Sequence, residues 1–204
     1  MHHLSINRRL IIPTAAALAI AFAMPATAQD VTVQVQKNGD AFEVRAEFRV
    51  PATVTESWEV LTDYDNMEKI VSNVDASRIQ NRNGNTFEVA QKSHVKAGLL
   101  SVSLDSVRQV TLTPPKEIKS TLLKGNLKSS DFTTRVFEEG TQTRVTAEGT
   151  FVPTALGAAT ISVDSVVNST RQQYKELRDE ILRRKNGQPP PPCILAKNCQ
   201  QSSG

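Results

Sequence analysis

The chain has 204 residues, 39% of them hydrophobic, which is enough for one domain with a sizeable apolar core. Its 24 lysine and arginine residues nearly balance its 21 aspartate and glutamate residues, and the formal net charge is +3 at pH 7. This balance gives no electrostatic reason to expect nucleic acid as a partner, because nucleic-acid binding depends on the neutralisation of phosphates.

The N-terminus predicts export. Two arginines at residues 8–9 precede an apolar run over residues 10–23, and an A-x-A cleavage site follows at residues 26–28. This is the pattern of a removable secretory signal over residues 1–28, with an uncleaved N-terminal anchor as the alternative. The apolar run is shorter than the roughly 20 residues that span a membrane. We therefore expect secretion across the inner membrane and a periplasmic location.

The next segment predicts a strand followed by two short helices. Residues 29–40 form a polar lead-in that ends in a turn at Asn38-Gly39, and residues 41–50 alternate strictly between apolar and charged side chains. Such alternation is typical of a strand with one buried and one solvent-exposed face. Thr53 or Thr55 can then cap a first helix, and a second helical turn follows a break at residues 64–66.

Six further strands are predicted without an intervening helix. Each is joined to the next by a short turn rich in glycine, proline or asparagine, which is typical of an antiparallel meander of hairpins. The predicted strands cover residues 76–81, 86–96, 100–113, 117–124, 127–137 and 141–152.

The last predicted element is an amphipathic helix of about 25 residues, from near Ala158 to Arg184. Its first half is rich in alanine, serine, threonine and valine, most of which are weak helix formers. Their presence indicates that the packing or the space available at these positions, and not helix propensity, selects them. The order of elements predicts an α+β fold for a domain at residues 41–186. In this fold a curved seven-stranded antiparallel sheet wraps around the C-terminal helix, and a ligand cavity lies between them.

Residues 187–204 form a proline-rich tail that we expect to be disordered beyond a small loop. Cys193 and Cys199 are the only cysteines, and in an oxidising compartment they predict a disulfide. No further cysteine or nearby histidine completes a metal site, so neither a metal nor another cofactor is expected.

Two segments carry a family resemblance. Residues 48–52 read F-R-V-P-A and residues 57–67 read S-W-E-V-L-T-D-Y-D-N-M. They resemble the entry of the SRPBCC superfamily, which includes START domains, polyketide cyclase/dehydrase-like proteins and coenzyme-Q-binding proteins. The resemblance implies a helix-grip fold and binding of lipids, quinones or polyketides, with a minority of members being enzymes. It also implies that Trp58 and Leu61 plug the open end of the sheet and that Tyr64 and Met67 lie near the cavity mouth. Trp58, Tyr64 and Met67 are therefore counted as candidate ligand-binding residues.

Alternation along the strands and the helical stripe extends the list of candidate ligand-binding residues. If the face that carries Phe48 points inward, the further candidates are Phe87, Val89, Leu100, Val102, Leu104, Arg108, Val110, Phe132, Thr134, Phe151, Val163, Val166, Val167, Thr170 and Tyr174. The alternative is a solid core without a cavity.

Arg108 is the only charged residue among these candidates. A buried charge requires a counter-charge or a polar partner, so Arg108 predicts a contact with the head of a ligand. Two alternatives are a bulge that turns the side chain outward and an internal ion pair with a residue such as Asp131.

No catalytic residue is assigned. His94 falls on the outward face of its strand, and Asp63 and Asp65 lie at a helix end, where we expect them to act as caps. Three hypotheses remain open: a carrier of a hydrophobic small molecule, a cyclase- or dehydratase-like enzyme, and a cell-envelope interaction module without a ligand. The basic residues 183–185 allow transient membrane contact, and the oligomeric state is open.

Overall fold

A computed structural model describes residues 31–97, 99–154 and 159–189. The helices are α1 (Val54–Leu61), α2 (Met67–Ile70) and α3 (Val163–Lys185), with a 3-10 turn at Tyr64–Asn66. The strands are β1 (Thr32–Asn38), β2 (Ala41–Val50), β3 (Val74–Asn83), β4 (Thr86–Ala97), β5 (Leu100–Thr113), β6 (Glu117–Gly125), β7 (Leu127–Glu139) and β8 (Gln142–Pro153).

The strands form one antiparallel sheet in the order β1-β2-β8-β7-β6-β5-β4-β3, with β1 and β3 at its edges. The predicted helix-grip architecture is confirmed, but the predicted count of seven strands is one too low. The additional strand is β1, inside the segment predicted as a polar lead-in. It pairs with β2 across the turn that Gly39 makes with a φ of 58°.

Local hydrogen bonds define the N-termini of α1 and α3. Thr53 caps α1, because its side chain accepts from the Glu56 backbone N–H at 3.2 Å and the Glu56 carboxylate accepts from the Thr53 N–H at 2.7 Å. Ser162 caps α3 by accepting from the Ser165 N–H at 3.1 Å. The predicted start near Ala158 is therefore wrong for this helix.

Two hydrophobic clusters pack along α3. The Ile181 core surrounds the C-terminal half of α3 and includes Phe48, Val60, Val71, Val89 and Leu177. The Val166 cluster surrounds the N-terminal half and includes Phe42, Val44, Leu127, Phe151 and Ile161. The two halves of one helix therefore cover different parts of the sheet.

The basic end of α3 is held by other groups of the protein. Arg183 and Arg184 pair with Glu180, Arg184 also pairs with Asp63 at 2.6 Å, and Lys185 donates to the Pro51 carbonyl. Among the described helices, none has the length and hydrophobicity needed to cross a membrane.

Candidate functional site: a cavity between the sheet and α3

A cavity of about 250 Å³ lies between the sheet and α3, slightly below the roughly 300–1,000 Å³ of typical ligand pockets. The N-terminal half of α3 contributes Val166, Ser169, Thr170 and Gln173 to its wall. These side chains are short or polar and leave space above the concave sheet. The volume therefore suits a single chain or ring system better than a diacyl lipid.

Ten of the predicted ligand-binding residues line this cavity, and they come from α2, the sheet, α3 and the turn before α2. They are Tyr64, Met67, Leu104, Arg108, Phe132, Thr134, Phe151, Val166, Thr170 and Tyr174.

Nine predicted residues lie elsewhere. Phe48, Phe87, Val89 and Val110 are buried in the Ile181 core, and Trp58 packs against it. Val102 and Val163 pack against the Val166 cluster, Val167 is half-buried outside the cavity wall, and Leu100 is 65% exposed near a turn. Alternation identifies the inward face of a strand, but it does not show where along that face the packed core ends and the cavity begins.

Arg108 points into the cavity. Its Nε and Nη1 atoms lie 3.4 Å from the hydroxyl oxygens of Ser106 and Ser120, and it forms no ion pair within the described part of the chain. Of the alternatives, the ion pair with Asp131 does not form, although that exposed carboxylate contributes a weaker attraction. Burial lowers the pKa of the Arg108 guanidinium below its ordinary value, opposed by the attraction of its neighbours.

The chain has two tyrosines, and both line the same cavity. Burial raises the pKa of Tyr64, and it raises that of Tyr174 to about 12, against the opposing effects of a hydrogen bond with Thr134 and of Arg108. Tyr64 packs edge-on against Phe87 with ring centres 5.5 Å apart. Both hydroxyls therefore stay protonated at neutral pH, and each can donate a hydrogen bond into the cavity.

Sequence reasoning missed several uncharged polar residues of the wall. Ser130, Gln91 and Ser93 line the cavity, although the predicted set consists mainly of apolar side chains. Ser130 shares the inward face of β7 with Phe132, so alternation alone could have identified it. The Ser130 Oγ and the Asn73 Oδ1 are buried without a hydrogen-bond partner among the described residues.

His94 differs from its predicted solvent-exposed position. Its side chain is 22% exposed, contributes to the cavity wall, and places Nδ1 3.1 Å from Asp75 Oδ2. A register shift between Val74 and Ala76 accompanies this arrangement. His94 therefore joins Arg108, Tyr64 and Tyr174 among the ionisable groups on the cavity wall. Within the described ranges, no cluster of three metal-ligating side chains is present.

A sequence profile for the family described as "Polyketide cyclase / dehydrase and lipid transport" matches residues 41–175. The chain belongs to this family. Family membership confirms the resemblance to the SRPBCC superfamily and implies a hydrophobic small molecule as ligand. No curated protein sequence matches the chain significantly.

Several solved structures share the fold of this chain. An aromatase/cyclase from a Streptomyces species is 18% identical, with a TM-score of 0.58 over 71% of this chain and 96% of that chain. A STAR-related lipid transfer protein from Xanthomonas axonopodis is 16% identical, with a TM-score of 0.58 over 76% and 95%. A protein from Thermus thermophilus is 18% identical, with a TM-score of 0.62 over 70% and 98%.

Proposed function

We propose that this family member is an exported carrier that holds one hydrophobic small molecule in the cavity between the sheet and α3. The cavity of about 250 Å³ carries the proposal, because apolar side chains such as Met67, Leu104 and Phe132 form much of its wall. Arg108 and the two tyrosines provide a polar region in which a ligand head can be held. Apolar surroundings with a few placed polar groups are typical of small-molecule sites.

Export is the second part of the proposal and rests on the signal-like pattern at residues 1–28, which lie outside the described residues. The predicted disulfide between Cys193 and Cys199 also lies outside them and depends on the same compartment. N-terminal sequencing of the protein from its own periplasm tests both the compartment and the cleavage before Gln29.

Native mass spectrometry of the protein purified from its own host tests the carrier function. We expect one small molecule per chain, extractable with organic solvent and identifiable as a lipid, quinone or polyketide-like compound. Thr170→Trp fills the cavity and should abolish this co-purification. Asn168→Trp, at an exposed position of the same helix, should retain it. An empty wild-type protein that binds no member of a lipid and quinone panel would exclude the carrier.

A cyclase- or dehydratase-like enzyme is the second candidate. The observation that favours it is the presence of Arg108, Tyr64 and Tyr174 around one cavity, since such an enzyme requires at least two ionisable groups there. Incubation of the extracted ligand with the protein distinguishes the two functions. A carrier returns the ligand unchanged, whereas a cyclase converts it to a ring-closed isomer and a dehydratase to a product that has lost water.

A further inference from the structure

The positive charge of Arg108 is not neutralised by an adjacent carboxylate in any of the three described ranges of the chain. Its contacts are two serine hydroxyls at 3.4 Å, which is long for a hydrogen bond. A charge held in a low-dielectric site is stabilised by an opposite charge at short range. The cavity is therefore electrostatically suited to an anionic group beside Arg108.

Ser130 is a second unsatisfied group on the wall of the same cavity. The residue is 1% exposed, and its Oγ has no hydrogen-bond partner among the residues described. Phe132, two positions along β7, is the register partner of Ser120, which contacts Arg108. Ser120 on β6 and Ser130 on β7 are thus diagonal neighbours on adjacent strands, a relation that typically separates two residues by about 7–8 Å. The unsatisfied hydroxyl lies close to the Arg108 region but is distinct from it.

We infer that the ligand is a hydroxylated carboxylic acid, bound with its carboxylate at Arg108 and its hydroxyl at Ser130. This inference rests on the carrier function proposed above. The carboxylate neutralises Arg108 and accepts from the protonated hydroxyls of Tyr64 and Tyr174. The hydroxyl of the ligand exchanges a hydrogen bond with Ser130 and so removes the cost of a buried, unpaired polar atom.

Titration calorimetry with dodecanoic acid and 1-dodecanol tests the charged head. Arg108→Met should weaken binding of the acid about ten- to a hundredfold and should change binding of the alcohol much less. Arg108→Lys, which keeps the charge, should retain the preference for the acid. Arg135→Met is the matched control, because Arg135 pairs with Glu117 and Glu148 outside the cavity and should not affect either probe. Equal loss of acid and alcohol in Arg108→Met would overturn the assignment.

A positional series of hydroxydodecanoic acids tests Ser130. At least one position should bind the wild-type protein about three- to tenfold more tightly than dodecanoic acid. Ser130→Ala should remove this advantage without affecting dodecanoic acid, whereas Ser129→Ala, at the exposed neighbouring position, should preserve it. The assignment fails if no position binds more tightly or if the preference persists in Ser130→Ala.

The probes separate the two levels of the proposal. If the wild-type protein binds neither the acids nor the alcohol, the carrier function fails, and the ligand assignment fails with it. If it binds them without regard to charge or hydroxyl group, the carrier function stands and only the hydroxylated acid is excluded.

Discussion

The two halves of α3 cover the same sheet, but one half packs tightly against it and the other leaves a cavity. The C-terminal half places Leu177 and Ile181 in the Ile181 core, where their exposed fractions are 4% and 0%. The N-terminal half presents Ser169 and Thr170 to a cavity of about 250 Å³. One amphipathic helix therefore closes one end of the fold and leaves space at the other.

Under the proposed carrier function, stability and ligand binding are assigned to different ends of the helix. Large aliphatic side chains fill the concave sheet around Ile181, and such filling is the main source of stability. Around Thr170, short side chains leave volume that the protein does not fill itself. Substitutions at the two ends should therefore have different consequences for the free energy of unfolding.

The largest expected effect is at the closed end. Ile181→Ala should reduce the free energy of unfolding by about 2–5 kcal/mol, because it creates a cavity in a packed core. Thr170→Ala should cost less than about 1 kcal/mol, because this half-buried side chain already borders open space. Urea unfolding followed by fluorescence of Trp58, the single tryptophan, measures both. Similar losses would contradict the contrast between the two halves.

Alkaline pH should lower the free energy of unfolding through Tyr174, at the cavity end of the fold. The pKa of Tyr174 is raised from 10.0 to about 12, equivalent to stability on the order of 2–3 kcal/mol. Because the pKa is higher in the folded state, this stability is fully present below pH 10 and is lost as the pH rises towards 12. Tyr174→Phe should lose less stability than the wild type over this interval, as measured by urea unfolding at each pH. An unchanged pH dependence would exclude burial of the hydroxyl.

Gly149 tests the backbone beneath the cavity. A Cβ there would lie 2.2 Å from the Asp131 carbonyl oxygen and 2.5 Å from the ring of Phe132, which lines the cavity. Gly149→Ala should therefore cost about 1–3 kcal/mol and displace that ring. Thr150→Ala, at the next position, is the control and should cost less. Thermal unfolding compares the two variants. Equal melting temperatures would show that β7 and β8 move apart to accommodate the added Cβ at little cost.

The smallest expected effect concerns the cap of α1, which packs at the closed end. Thr53→Ala should reduce the free energy of unfolding by about 1 kcal/mol, because it removes the capping hydrogen bond to Glu56. Thr55→Ala, at an exposed position inside the helix, should have little effect. The opposite order in urea unfolding would assign the cap to Thr55.

Much of the fold could be predicted from local patterns. Turn residues separate the strands, and alternation placed Arg108 on the inward face, where the structure has it. The strand β1 was missed because only two valines alternate with glutamines in it before Lys37 interrupts the pattern, which leaves a weak hydrophobic signal. Its pairing with β2 supplies the hydrogen bonds that make it a strand.

The candidate site was predicted less completely. Phe87 and Val89 share the inward face of β4 with Gln91 and Ser93, but the first two are packed in the core and the last two border the cavity. Alternation has a period of two residues and carries no information about what lies opposite each side chain. That depends on where α3 crosses the sheet.

The sequence by itself determined the α+β class, the meander of hairpins, the amphipathic C-terminal helix and the inward direction of Arg108. These features depend on spacing within one segment, and spacing can be read directly from the chain. Only the tertiary structure decided that Arg108, Tyr64, Tyr174 and Ser130 share one cavity. The physical reason is that these residues are brought together by strand register and by the packing of α3, which join segments far apart in the sequence.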